Sequence, residues 1–326
     1  MKFLQGISNN PCFNLAFEEY FFNLKDGEDY FLLWQNDNAI IVGRHQNTIE
    51  EINQEYAKAR QIQVVRRITG GGAVYHDLGN VNYSFITSAV KDDFDFRFFT
   101  RPIIEALSQI GIEAAFNSRN DLTIAGAKFS GNAQHIAGNR LLHHGTLLYN
   151  SNLEVLSKAL RVKEAKIASK GIKSVKSRVT NIADHLPKAP AVEDFIALLK
   201  DFMFKTSAIT EAFLTPKEIT AINALKAARY DTWDWNYGKS PAYNMRKEAA
   251  FSGGLLTVLA QVEKGRFTEI SLYGDFFGKG NICELEACLK GVTPEKEQLK
   301  AALKQVDVSF FIIPLTNDEL ITILLN

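Results

Sequence analysis

The chain has 326 residues, room for about two domains of ordinary size. Lysine plus arginine and aspartate plus glutamate each number 37, so the formal net charge is zero, which excludes a coat for nucleic acid or for an anionic membrane. The 46% hydrophobic and 23% charged content is that of a folded globular protein, and no apolar run reaches the ~18 residues of a membrane span.

The opening Met1-Lys2-Phe3-Leu4-Gln5-Gly6 runs into polar Ser8-Asn9-Asn10 and lacks the apolar centre of a signal peptide. Three sparse cysteines, Cys12, Cys283 and Cys288, fit a reducing compartment, so a cytoplasmic location is expected. Asn14 is placed to cap a helix carrying Leu15, Glu18, Glu19 and Phe22. Phe31–Trp34 and Ala39–Val42, parted by Asn36-Asp37-Asn38, read as a hairpin. Val64-Val65 and Val81–Ile86 read as further strands. Thr100-Arg101-Pro102 opens a helix with Ile103, Ile104, Leu107 and Ile110 at helical spacing, stopped by Gly111. Leu122–Ile124 and Thr146–Tyr149 are strands after it.

From about 151 to 236 the pattern turns helical. Val192, Phe195, Ile196, Leu199 and Phe202 form one stripe, and Thr215-Pro216-Lys217-Glu218 has the form of a capping box. Residues 237–250, rich in turn and charged types, read as a linker. Beyond it come strands near Gly253-Gly254 and Ile270, with Lys264-Gly265 as their turn, then helices from Thr293-Pro294 and from Asn317. The domains expected are 1–245 and 246–326, the second a small α+β unit.

Chemistry concentrates in a few clusters. Arg66-Arg67-Ile68-Thr69-Gly70-Gly71-Gly72-Ala73-Val74-Tyr75-His76 places three glycines after a strand. Such a turn lets backbone approach a ligand and aims N–H groups at an anion, and the arginines bring planar donors. A flexible hairpin tip with solvated arginines would use the same residues. Gly238-Lys239-Ser240 is no phosphate loop, because Trp233 stands where the first glycine belongs. Gly126-Ala127-Lys128-Phe129-Ser130-Gly131 offers a lysine among small residues, a compact cation suited to joining a carboxylate to a phosphate, or a plain surface lysine. Gly43-Arg44-His45-Gln46-Asn47 ends an apolar strand at a possible pocket mouth. His143 and His144 adjoin, so on a strand they diverge, which is poor metal geometry.

In order along the chain, these clusters resemble the lipoate–protein ligase family. The match runs through Pro11-x-Phe13-Asn14-Leu15-Ala16-x-Glu18-Glu19, Gly43-Arg44-x-Gln46-Asn47, the Arg66–Asn80 block, Asn120-Asp121-Leu122, Lys128-x-Ser130-Gly131 and His144–Leu148. Ser174–Asn181 and Trp235–Pro241 extend it. The resemblance implies an α+β fold, a mixed, largely antiparallel sheet with flanking helices, plus the small C-terminal domain. It implies that ATP and Mg2+ activate lipoate to lipoyl-AMP, and that the lipoyl group passes to a lysine of a lipoyl domain. The acceptors implied are E2 subunits of 2-oxoacid dehydrogenases or the glycine cleavage H protein, with no nucleic-acid or membrane partner. Lys128 matches the family's central lysine, touching both lipoyl carbonyl and phosphate. Arg67, Gly72, Ala73, Val74 and Tyr75 match nucleotide contacts. Gly70, Gly71, His76, Arg44, His45 and Asn47 are expected around the lipoyl group, and Asp121 as a Mg2+ ligand. Trp34 and Phe85 lie on strands suited to enclosing the acyl chain.

Between Lys158 and Arg178 eight basic residues face Glu164 alone, a formal charge of +7. Lipoyl domains implied by the resemblance are acidic, so this segment is a candidate for steering the acceptor; a solvated basic face would look the same. The rival within the superfamily is an ATP-independent octanoyl or lipoyl transferase working through a cysteine thioester. A non-catalytic lipoate-binding protein is the rival outside it.

Overall fold

The computed structural model describes residues 1–88, 95–117, 120–161, 179–238 and 243–325. Residues 162–178 of the basic run 158–178 lie outside the described residues, as do 239–242 of the expected linker.

Among the described residues, the first part is built on an eight-stranded sheet in the order β11-β1-β2-β6-β10-β9-β8-β7. Its strands are β1 (Lys2–Gln5), β2 (Tyr30–Trp34), β6 (Asn80–Ser88), β7 (Ala114–Phe116), β8 (Asp121–Ile124), β9 (Ala127–Ala137), β10 (Arg140–Leu148) and β11 (Thr210–Glu211). Only the β11-β1 and β1-β2 pairings are parallel. A second sheet, β4-β3-β5, joins β3 (Ala39–Val42), β4 (Gln63–Arg66) and β5 (Val74–His76). This is the mixed, largely antiparallel sheet that the family resemblance implies.

Helices cover both faces. Pro11–Asn23 is buried nearly all round and packs Leu15, Phe17 and Phe21 against Leu32 and Trp34. On the other face Ile103 and Leu107 of the helix Phe96–Ser108, and Phe195 and Leu199 of the helix Val192–Thr206, meet Phe3, Phe31 and Phe85. Each such side chain contributes about 1.5–3 kcal/mol by leaving water.

Four expectations are corrected. The first helix is capped by Asn10, which accepts from Phe13 N–H at 2.9 Å, with Pro11 at its first turn. Asn14 sits inside it, donating to Ser8 O and Gln35 O. β2 and β3 are not a hairpin: each is wholly buried and pairs into a different sheet. Strands apolar on both faces carry no alternation that would select a partner. The helix expected to open at Thr100 starts at Phe96, capped by Asp95, with Pro102 inside it. Burial of the Phe96–Phe99–Ile103–Leu107 stripe outweighs the one backbone bond that proline forgoes. Part of the expected linker is strand β12 (Met245–Phe251).

The tail pairs β12 with β13 (Gly254–Glu263) and β13 with β14 (Arg266–Gly274), all antiparallel. Lys264 and Gly265 turn the second hairpin with positive φ at both, as a type I′ turn requires. Helices Ile282–Leu289, Lys296–Ala302 and Asn317–Leu325 close over a core of Val258, Phe267, Leu285 and Leu320.

Candidate active site

One cleft of about 590 Å³ gathers most of the chemistry-bearing residues. It opens where β4 ends, where the β8–β9 hairpin turns, and along β10. Ala125 and Gly126 connect β8 to β9 with φ of 49° and 83°, again a type I′ pair, and this tight turn sets the register that carries Lys128 into the cleft. Lys128 Nζ reaches Asp121 Oδ1 at 2.7 Å. It lies back across Gly131, where a Cβ would stand 2.9 Å from Nζ and would push the lysine tip aside.

The paired arginines part company. Arg66, 2% exposed, gives its guanidinium to the carbonyls of Gly43, Arg44, Gln46, Trp235 and Asn236 and to Thr48 Oγ1. It stitches the fold and has nothing left for a phosphate. Arg67 lines the cleft. Its Nη2 donates to Gly70 O at 2.6 Å and Gly72 O at 2.9 Å, its Nη1 to Ile41 O, and its Nε to Thr69 Oγ1. Burial pulls this guanidinium down to about 10, opposed by Glu18, and it stays charged at neutral pH. With its carbonyls held from within, the glycine loop leaves the N–H groups of Gly72 and Ala73 without an acceptor among the described residues. Oriented backbone donors beside a fixed cation suit an anion.

Gly71, Gly72, Ala73, Val74 and His76 line the same cleft, with Leu15, Trp34 and Ile41 supplying apolar wall. His76 Nδ1 lies 3.1 Å from Asn36 Nδ2. Burial, aided by Arg67 and His144, drives its pKa down to about 3, so the ring is neutral. Phe85 belongs to the core beneath the sheet and does not reach the cleft. His143 and His144 do diverge: His144 faces the cleft, His143 packs among Phe96, Phe99 and Tyr83.

Other expected residues lie elsewhere. A Cβ on Gly70 would sit 2.2 Å from Phe276 O, so this glycine serves a close approach by the tail. Tyr75 turns away and bonds Asn38. Arg44, His45 and Asn47 do not line the cleft. Arg44 N–H bonds Thr69 O, His45 stacks on Phe276 at 4.9 Å, and Asn47 precedes the short helix Thr48–Glu51. A strand exit is polar whether it faces a ligand or a neighbouring domain, so their position in sequence could not separate the two.

Asp121 gives an oxygen to Lys128, and no group of three His, Cys, Asp or Glu able to hold a metal occurs among the described residues. A Mg2+ ion shared with nucleotide phosphates needs only one or two carboxylates, and Asp121 is the carboxylate beside this cleft that would supply one. The cleft also contains Asn82, Asn120, Asn132 and Thr146, which the sequence reading left out of the site. Asn120 and Asn132 exchange side-chain bonds, Nδ2 of each to the other's carbonyl oxygen. Asparagine within a strand, at Asn82 and Asn132, was the available signal.

Comparison with known proteins agrees with this picture. Residues 10–204 match the model of the lipoyl protein ligase A/B catalytic domain, and 240–324 that of the bacterial lipoate protein ligase C-terminus. Lipoate–protein ligase 1 of Staphylococcus aureus is 43% identical over 99% of this chain and 100% of its own length. The crystal structure of P. falciparum LipL1 in complex with lipoate superposes with a TM-score of 0.77 at 27% identity, covering 100% of this chain and 99% of that one. Lipoate-protein ligase A bound with ATP gives a TM-score of 0.63 at 27% identity, over 73% of this chain and 99% of that one. No helix among the described residues is long and apolar enough to cross a membrane. With the catalytic and C-terminal models both matched and a relative of this identity spanning the whole chain, the protein belongs to the lipoate–protein ligase family.

Proposed function

We propose that the cleft binds ATP and lipoate together and carries the chain's ligase activity in two steps. The lipoate carboxylate attacks the α-phosphorus of ATP, breaking the bond to pyrophosphate and forming lipoyl-AMP. The amine of an acceptor lysine then attacks the acyl carbon, forming the amide and releasing AMP. The observation that carries this is the convergence of Lys128, Arg67 and the free N–H groups of Gly72 and Ala73 on one cleft with an apolar end. Two anions must meet in the first step, and fixed donors that need no rearrangement lower that barrier. Lys128, after leaving Asp121, bridges carboxylate and phosphate. Gly72–Val74 take the nucleotide, and Gly71, Trp34, Ile41 and His76 the acyl end. Any Mg2+ travels with the phosphates of the nucleotide.

The acceptors are lipoyl domains of 2-oxoacid dehydrogenase E2 subunits or the glycine cleavage H protein. The division between catalytic and accessory domains falls near residue 245, supported by a tail core drawn wholly from beyond that point.

The transferase alternative needs a reactive cysteine. Cys12 is buried, its Sγ donates to Tyr230 O, and burial pushes its pKa up to about 12. Cys283 and Cys288 are exposed on the tail and do not line the cleft. The test is lipoate-dependent exchange of pyrophosphate into ATP. Exchange by the wild type, cut about a hundredfold by Lys128→Ala with the fold intact, supports the ligase. Acyl transfer from a carrier without ATP, and no exchange, would overturn it.

A further inference from the structure

Behind the cleft wall lie Glu18, Ser84 and Thr69, buried residues that the two steps above do not use, joined in one network to Trp34, Arg67 and His144 of the cleft. Glu18, 1% exposed on the helix Pro11–Asn23, sits over two cross-strand neighbours, Ser84 of β6 and His144 of β10. It accepts from Ser84 Oγ at 2.6 Å, and its two oxygens lie 2.8 and 3.0 Å from His144 Nδ1. Two arms run outward from it. In one, Trp34 Nε1 donates to Ser84 Oγ at 3.0 Å. In the other, His144 Nε2 lies 2.8 Å from Thr69 Oγ1, which accepts from Arg67 Nε at 2.9 Å. Trp34 and Arg67 face the cleft; Glu18, Ser84 and Thr69 stay behind it.

The direction of every proton follows from donor chemistry. Arginine Nε can only donate, so Thr69 Oγ1 accepts from it. Thr69 and Ser84 are 0% exposed, so each hydroxyl hydrogen must find a protein acceptor. For Thr69 the remaining partner is His144 Nε2, which must then be the bare nitrogen. The ring proton is thereby placed on Nδ1 and given to Glu18. Ser84 likewise receives from the indole and gives to Glu18.

We propose that Glu18 is a positioning hub that fixes the two halves of the substrate site separately: the acyl wall through Ser84 and Trp34, and the glycine loop through His144, Thr69 and Arg67. None of the three hidden residues touches a reacting atom. This rests on the assignment of Arg67 and its loop to the nucleotide and of Trp34 to the acyl chain.

The experiment measures pyrophosphate exchange by the full chain and reads the ATP and lipoate KM values separately. Thr69→Val keeps the shape and removes the hydroxyl; it is expected to raise the KM for ATP about tenfold, the worth of one buried hydrogen bond, and to leave that for lipoate within about twofold. Thr69→Ser restores the wild-type value. Ser84→Ala is expected to do the reverse, raising the KM for lipoate and sparing ATP. Glu18→Gln raises both, and adding Thr69→Val to it brings little further loss in the ATP term, since both break one chain. A merely structural role would move both KM values together in every variant, and that result would overturn the proposal. Nitrogen-15 NMR of His144 supplies a readout independent of activity and of any variant's folding. A neutral ring protonated on Nδ1 is expected, and a proton on Nε2 overturns the hub. If the wild type shows no lipoate-dependent exchange, the functional reading fails while the proton order is still tested.

Discussion

The two parts of the molecule bury different things. In the tail, Thr257 is the one polar residue among the described buried ones, and the core is aliphatic and aromatic. The first part hides Glu18, Arg66, Arg67, His76, Asn82, Asn132, His143 and His144. A buried polar group costs stability unless its partners are in place, so such groups persist where function or architecture needs them. The tail is a packed unit with an apolar core, and the first part is built around a cleft. The seam between them is made of specific contacts. Gly274 N–H bonds His45 O at 2.8 Å, Phe276 stacks on His45, and Phe277 packs with Phe96 and with the cleft residue Ala133. The glycine loop thus serves two masters, Gly72 facing the cleft and Gly70 facing the tail.

The contrast can be tested at points of falling consequence. Arg66→Ala orphans several carbonyls inside the first part and is expected to cost about 3 kcal/mol, measured by denaturant unfolding. A loss under about 1 kcal/mol would show that Arg66 is no stitch. Acidification between pH 7.5 and 5.5, the range in which histidines titrate, should act chiefly on the first part. All six histidines precede the tail. Burial holds His76 down to about 3 and His143 well below its ordinary value. Because both lie lower folded than unfolded, their stabilising effect is present above about pH 6.5 and is lost as pH falls toward 3. Each loses about 1.4 kcal/mol per pH unit while it stays neutral. Hydrogen exchange at pH 7.5 and 5.5 should show β6 and β10 losing protection and β13 keeping it; equal loss in both would remove the contrast.

Gly70→Ala probes the seam. With its Cβ forced against Phe276 O, it should cost about 1–3 kcal/mol and speed exchange of the Gly274 amide, leaving the tail's inner strand protected. The smallest effect belongs to Arg246→Ala, which removes a surface ion pair with Glu50 across the same seam. Less than about 1 kcal/mol is expected in thermal unfolding, and a larger loss would mean that charge rather than close packing holds the tail.

Much of this was legible beforehand. The capping box at Thr215, the stripe of the helix Val192–Thr206, the Lys264-Gly265 turn and the stop at Gly111 all rest on local chemistry, and local chemistry is written in adjacent residues. The glycine-rich loop, Lys128 and the divergence of His143 and His144 were legible for the same reason. What failed was what depends on a distant partner. Arg66 and Arg67 are neighbours of one type, yet their roles are set by Asn236 and Trp235 in one case and by Thr69 and the loop carbonyls in the other. The ion pair of Asp121 with Lys128 is likewise a contact that only the fold reveals.

The sequence by itself determined the family, the order of its motifs and the kind of reaction, because residue types at fixed spacing carry those. Tertiary structure alone decided which strand pairs with which, which arginine faces the cleft, and which glycine yields to the tail. It also joined Glu18 to Thr69 and Trp34, residues far apart in the chain. Those outcomes are contacts across the fold, and a hydrogen bond has a direction only once both of its ends are in place.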